Sequence, residues 1–433
     1  MLGEGLPYGA GELELDPIVR RLGELVPYIV AEINEPDPGR STEMKRAYAA
    51  IEGALRASVS APSVGRQRKP PAFDWQAVLG SRDPVPSVLE LQEMFGGRRV
   101  LVTGGGGSIA RSLATFLVGF RPERVVLLDS HEPSLAADRR ARDSDALERV
   151  SHVLGDLRDA ARLEARLADE RPDVVFHLAA YKHVDWAEVF PEEFVDTNLQ
   201  GSWNLLRAAE AGGVDTVVVA STDKAALAAS FYGRTKRFME QLTAFAARDA
   251  GAKRIALRFV NVLGSAGSAS ELFLRQASTG LPLTVTDTGM VRYWITMGHA
   301  ACMAAHAALL AADGVLLAAP ADPMTLTVGE LASRIWSQAG GEGEPELDLL
   351  GARRGETMHE VLVRPDEQLD GEPYQGIAPI RAEIPTAGAA WVAERLPEAG
   401  DRAGAARTVW LDAMSRPGLL DREPRAAARR PSG

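Results

Sequence analysis

With 433 residues, 46% of them hydrophobic and 25% charged, the chain has a globular make-up and the length for one large α/β domain with additions. Its 48 Lys and Arg against 59 Asp and Glu leave a net charge of −11, which argues against nucleic acid as the main partner, since phosphate binding needs clustered basic residues. The one cysteine, Cys302, allows no internal disulfide and points to a reducing cytoplasm, and no apolar run reaches the roughly 18–20 residues that would insert into a membrane.

Residues 1–72 read as a separate helical appendage. Ile18, Leu22, Leu25 and Ile29 share one helical face, and Met44, Tyr48, Ile51 and Leu55 share another. The breaker Pro36-Asp37-Pro38-Gly39 between them predicts an antiparallel helix pair, a packing or homo-oligomerisation element, with a linker over 59–72. From Arg99 onward, short apolar runs alternate with amphipathic stretches: Val100–Val102, Val125–Leu128, Val150–Leu154, Val174–Leu178, Thr216–Ala220 and Ile255–Phe259. Strands buried on both faces with helices between them predict an α/β fold, a Rossmann-type doubly wound parallel sheet. The expected layout is an NAD-binding domain over 73–262 and a smaller substrate lobe over 263–370, which takes in an Ala-rich helix near 297–312. A Pro/Ala/Arg-rich extension, partly disordered, follows over 371–433.

Gly104 and Gly107, then Ser108, Ile109 and Ala110, sit between the first strand and an amphipathic helix. Glycines there let the backbone turn tightly and approach a pyrophosphate, and the helix N-terminus adds N–H donors. Asp129 ends the second strand, where a carboxylate accepts from ribose hydroxyls and repels a 2′-phosphate, so the expected cofactor is NAD. Asp156 and Leu157, after the third strand, are placed toward the adenine. Ala179, Ala180 and Lys182, after the fourth, are placed beneath ribose and nicotinamide, and Asn198 on the next helix is expected to pin the loop carrying the catalytic threonine.

Thr222-Asp223-Lys224 ends the fifth strand, and Tyr232-x-x-x-Lys236 follows on a helix. The i, i+4 spacing puts Tyr232 and Lys236 on one face, so the ammonium is expected to lower the phenol pKa and make Tyr232 a base for a sugar hydroxyl. Asp223 and Lys224 add what chemistry beside a carbonyl needs: an amine to take a C5 proton and an acid for a departing C6 hydroxyl. His177 and His183 lack partners at metal-ligand spacing, so no metal is expected.

Taken together, Val78-Leu79-Gly80, Thr103–Ile109, Phe176–Val184, Ser221–Lys224, Gly233–Arg237, Arg258–Ser265, Val291–Thr296 and Arg353-Arg354-Gly355-Glu356 resemble the extended short-chain dehydrogenase/reductases. The likeness is to their polysaccharide-biosynthesis group of nucleotide-sugar 4,6-dehydratases and epimerases. The resemblance implies a nucleotide-sugar substrate, with Asn261 and Ser265 at its diphosphate, Arg292 and Arg353 at phosphate or uridine, and Glu356 near the nucleoside. It departs at Val260, Ala266 and Leu227-Ala228, all near the expected pocket. The leading expectation is an NAD-dependent 4,6-dehydratase. A C5- or C4-epimerase and a non-catalytic NAD sensor are the alternatives.

Overall fold

The computed structural model describes residues 73–420 apart from 143, 249–251, 400–403 and 417. The expected helix pair within 1–72 and the tail beyond 420 lie outside the described residues. The chain divides into Met1–Asp74 and Trp75–Gly433, and the fold given below is that of the second unit.

Six strands, β1 (Arg99–Thr103), β2 (Arg124–Asp129), β3 (Val150–Leu154), β4 (Val174–His177), β5 (Thr216–Thr222) and β6 (Lys253–Phe259), form a parallel sheet in the order β3-β2-β1-β4-β5-β6. Their side chains alternate between two cores. Val100 and Val102 face one layer of apolar packing while Leu101 faces the other, and Val218 opposes Val217 and Val219 in the same way. Burial on both faces is why these segments are apolar without interruption rather than alternating with polar residues. The strand order reverses between β1 and β4, so a crevice opens at the carboxyl ends of those strands, where doubly wound sheets take their ligands.

Short strands follow: β7 (Asn261–Val262), β8 (Leu283–Val285), β9 (Val291–Ile295), β10 (Leu317–Pro320), β11 (Met324–Thr327), β12 (Leu347–Leu349), β13 (Gln368–Leu369) and β14 (Ile377–Arg381). Of these, β11-β9-β7 form a small sheet and β12-β8 a pair of their own.

The expected division at 263–370 is not what the sheet shows. β10 pairs parallel with β6, and β14 and β13 complete the same sheet in antiparallel sense. The Ala-rich helix Met297–Ala312 buries eleven residues, among them Met303, Ala304 and Ala308 in the core beneath the main sheet, rather than belonging to a separate lobe. Small side chains allow its backbone close to the strands. The extension contributes too: Ala389, Val392 and Trp410 of two late helices are buried in the opposite core layer. A few well-spaced apolar residues suffice to dock each helix.

Candidate active site

The glycine-rich turn fits a closely approaching ligand backbone. Gly104 has φ +70, and a Cβ there would sit 2.8 Å from the Ala179 nitrogen; at Gly106 it would meet the Ser134 Cβ at 2.5 Å. The cradle therefore admits no side chain. Gly107 caps the helix Ser108–Val118. Asp129 serves the turn itself: Oδ2 accepts from the Gly106 N–H at 2.9 Å and Oδ1 from the His131 N–H at 2.9 Å. Leu157 is buried, while Asp156 is gripped by the Arg158 guanidinium, whose hydrogen bonds hold the carboxyl below its usual range.

Beyond β4, Ala179 donates its N–H to Thr103 Oγ1 at 3.3 Å, beside half-buried Ala180. Lys182 Nζ donates to the Ala266 carbonyl at 2.6 Å, and the Ala266 N–H donates to Ser108 Oγ at 3.0 Å. One residue of the 265–267 loop thus bridges the cradle and the β4 loop. His177 is wholly buried between Thr103 and Ser202, and burial, then the nearby Lys236 charge, pushes it down to about 3. A neutral imidazole in that place is a structural connector. Among the described residues, no group of three or more His, Cys, Asp or Glu is placed to hold a metal ion.

Asn198 departs from expectation. It lies in a π-helical turn, Val195–Gln200, and its amide accepts from the Tyr181 N–H at 2.8 Å and donates to the Tyr181 carbonyl at 3.1 Å and to Thr235 Oγ1 at 3.3 Å. It therefore ties the β4 loop to the helix Phe231–Ala246, not to the loop bearing Thr222.

The catalytic candidates converge at the end of β5. Asp223 is fully buried; its Oδ1 accepts from Thr222 Oγ1 (2.8 Å), the Lys224 N–H (2.9 Å) and Lys224 Nζ (3.1 Å), while Oδ2 makes no hydrogen bond. Tyr232 and Lys236 project from Phe231–Ala246, which Ser230 caps through the Gly233 N–H at 3.0 Å. The Tyr232 hydroxyl reaches Thr222, and Lys236 Nζ donates to the Ala220 carbonyl at 2.9 Å.

The expected electrostatics are reversed in one respect. Burial raises Tyr232 to about 12, and the cation working against that is Lys224, not Lys236. Burial brings Lys236 itself down to about 7 against the pull of Glu240, so at neutral pH its charge is only partly present. Helical spacing brings the two side chains to one face, but it carries no information on how dry the site is.

Glu360 is a member of the site that the sequence pattern did not single out. Its Oε1 lies 2.7 Å from Lys224 Nζ and 3.2 Å from Arg292 Nε, and its Oε2 accepts from Asn261 Nδ2 at 3.2 Å. A parallel bridge between Val291 and His359 sets its register beside Arg292. Burial alone would raise Glu360, yet Lys224 and the groups around it hold it at about 2. Asp223 moves the other way. Burial, opposed by Lys224 and reinforced by Glu360, pushes it up to about 7. Although burial disfavours its charge, Asp223 and Glu360 keep the Lys224 ammonium above the ordinary lysine range. Of the two carboxyls, Asp223 is therefore the one that takes a proton more readily.

The expected substrate groups divide. Arg292, buried, gives its charge to Glu360 and donates to the Val291 carbonyl at 2.9 Å, so it faces inward rather than toward a phosphate. Asn261 likewise donates to the Tyr293 carbonyl at 3.0 Å and to Glu360. Ser265 is buried in the loop that Lys182 straps. Arg353 is exposed, 3.6 Å from Asp185, and its N–H donates to Glu356 at 2.8 Å, forming a turn at the rim.

Residues 100–382 match the family model described as polysaccharide biosynthesis protein. The chain belongs to that family. Of its curated relatives, the capsular polysaccharide biosynthesis protein CapD of Staphylococcus aureus is 31% identical over 304 residues, which cover 69% of this chain and 51% of that protein. A UDP-N-acetylglucosamine 4,6-dehydratase (inverting) of Campylobacter jejuni is 30% identical over 298 residues, 66% of this chain and 84% of that protein. The chain spans about half the length of the longer relatives. Among solved structures, the Thermus thermophilus UDP-glucose 4-epimerase complex with NAD superposes with a TM-score of 0.53 at 26% identity, covering 61% of this chain and 90% of that one. Among the described residues, no helix is long and apolar enough to cross a membrane.

Proposed function

We propose that this family member is an NAD-dependent nucleotide-sugar 4,6-dehydratase, acting on a UDP-N-acetylglucosamine-like substrate through a 4-keto intermediate. The observation that carries it is the buried Asp223–Lys224 pair, with one free carboxyl oxygen, directly beside Thr222 and Tyr232. Similarity to the Campylobacter dehydratase supports the same substrate class.

The cradle of Gly104, Gly107, Ser108 and Ile109 fits the NAD pyrophosphate, with Asp129 at the ribose, Asp156 and Leu157 at the adenine, and Ala179, Ala180, Lys182 and Asn198 framing the nicotinamide end. When bound, NAD supplies the acceptor and later the donor of hydride, and its nicotinamide charge favours the tyrosinate. Gly104→Ala should weaken this binding, because the added Cβ meets backbone and the φ is unsuited to alanine. A penalty of about 1–3 kcal/mol is expected, read as a weakened NADH titration by fluorescence.

Thr222 holds the C4 oxygen while Tyr232 takes the hydroxyl proton. The ketone formed there acidifies the C5 proton. Lys224 starts as an ammonium and becomes a base by passing its proton 3.1 Å to Asp223, which leaves a neutral amine and a carboxylic acid. Lys224 then takes the C5 proton as Asp223 protonates the departing C6 hydroxyl, which leaves as water. The ammonium–carboxylate pair is restored; return of the hydride to C6 would then be matched by a solvent-exchanged proton from Lys224 to C5, and Lys224 regains a proton as Tyr232 releases the one it took.

This chemistry sets the pH dependence. Below about 7 Asp223 already holds a proton and has no room for that of Lys224. Elimination should therefore rise as pH passes upward through 7. Incubation with UDP-N-acetylglucosamine in heavy water, followed by mass spectrometry across pH 5.5–8.5, tests both points. Loss of water with one deuterium at C5 is expected. Deuterium uptake with no water lost would instead identify a C5-epimerase. A C4-epimerase reading has its own support, because Thr222 and Tyr232 suffice for it and the similar Thermus structure is that of a UDP-glucose 4-epimerase; it predicts an unchanged mass.

A further inference from the structure

Glu360 lies 136 positions after Lys224 in sequence, yet its carboxylate pairs with both Lys224 and Arg292 and its charge acts on Asp223. We propose that Glu360 is a positioning residue for the dehydration step: it anchors the Lys224 amine against Asp223 and sets the charge that Asp223 faces. The inference rests on the dehydratase reading and deepens it.

The geometry is specific. A lysine side chain has four rotatable bonds and a compact charge, so a single neighbour fixes it poorly. Here Nζ is held from two sides, by Asp223 Oδ1 at 3.1 Å and Glu360 Oε1 at 2.7 Å. Glu360 is itself immobilised by Arg292 Nε on one oxygen and Asn261 Nδ2 on the other. Its carboxylate is 4% exposed, so a charge is maintained in a dry place only because three donors surround it. Asp223 Oδ1 is saturated by three donors, one of them the Lys224 amine that Glu360 holds from the other side, while Oδ2 makes no hydrogen bond.

The groups facing Asp223 are Lys224, from the same strand end, Tyr232, from Phe231–Ala246, and Glu360, with Arg292 of β9 behind it. Of these, Glu360 is the one whose negative charge raises the proton affinity of Asp223 and can be removed without touching the proposed proton donor or base. Glu360→Gln keeps the size and removes the charge. Misplacing a catalytic group by about 1 Å costs roughly 100-fold, so C5 deuterium exchange should fall by about that factor while NADH binding is retained. The pH limb of elimination should also move to lower pH, since Asp223 loses the neighbour that lifts it. A purely structural role would leave that limb where it is.

The experiment follows C5 exchange of UDP-N-acetylglucosamine in heavy water against pH, for wild type, Glu360→Gln and Glu360→Asp. Glu360→Asp retains the charge at shorter reach, so it should keep the limb near its wild-type pH while exchange slows. A Glu360→Gln protein with wild-type exchange and an unmoved limb overturns the assignment. If Glu360→Gln fails to fold, Glu360→Asp decides: unslowed exchange, or a limb displaced from the wild-type pH, overturns it. A wild type that neither exchanges C5 nor loses water overturns the dehydratase reading, and the role of Glu360 falls with it. Wild-type turnover combined with unaltered variants defeats the Glu360 assignment alone.

Discussion

Tyr232→Phe is expected to reduce turnover by about 10²–10⁴-fold while leaving NAD binding and folding intact. The hydroxyl is the one atom removed, and it reaches Thr222 at the point where the C4 oxygen must sit. The ring itself packs edge-on against Phe194 at 6.5 Å between centroids, a contact phenylalanine preserves. A phenol raised to about 12 in the resting site holds its proton, so Tyr232 would act as the base only once the positive nicotinamide of bound NAD favours the tyrosinate. The variant therefore loses the first chemical step rather than substrate affinity. Single-turnover absorbance at the NADH band measures that step directly. A variant with wild-type single-turnover rate would remove Tyr232 from the mechanism and transfer the base role to Lys224, the nearest other group.

Much of this site is legible in the amino-acid sequence. β1 to β6 announce themselves as apolar runs because both faces of each strand are covered, and the glycines at 104–107 and Asp129 follow at the spacing that a nucleotide turn imposes. Thr222, Asp223, Lys224, Tyr232 and Lys236 are close in sequence, so a strand end and one helical turn bring them together. Glu360 is the opposite case. It joins the cluster through a single bridge at Val291 and His359, and nothing local distinguishes it from the nearby Glu356, which caps a surface turn. The same limit applies to Arg292. An arginine reads as a phosphate donor until its buried carboxylate partner is known. Protonation is equally hidden, since Asp223 and Lys236 both sit near 7 through burial that no i, i+4 rule encodes. Membership of the C-terminal strands in the main sheet escapes a local reading because pairing with β6 and β10 is a long-range event.

The largest structural effect is expected at Arg258→Ala, which should destabilise the protein by about 3–5 kcal/mol. Arg258 has no exposed side-chain surface. Its Nε and Nη2 donate to Glu240 at 2.8 and 2.9 Å, and its Nη1 and Nη2 to Glu367 at 2.6 and 2.9 Å. Removing the guanidinium leaves two carboxylates in the interior without their main counter-charge. Arg237, at 3.9 Å from Glu240 and 3.7 Å from Glu367, is too distant to replace those hydrogen bonds. The loss should extend to chemistry, because Glu240 also accepts from Ser221 Oγ at 2.7 Å and so fixes the strand end carrying Thr222 against the helix carrying Tyr232. Urea unfolding measures the first effect and C5 exchange the second. Arg258→Met with Glu240→Gln and Glu367→Gln removes the orphaned charges and should recover stability. If it also recovers exchange, the buried network serves the fold alone. If stability returns while exchange does not, the ion pairs themselves set the distance between strand end and helix.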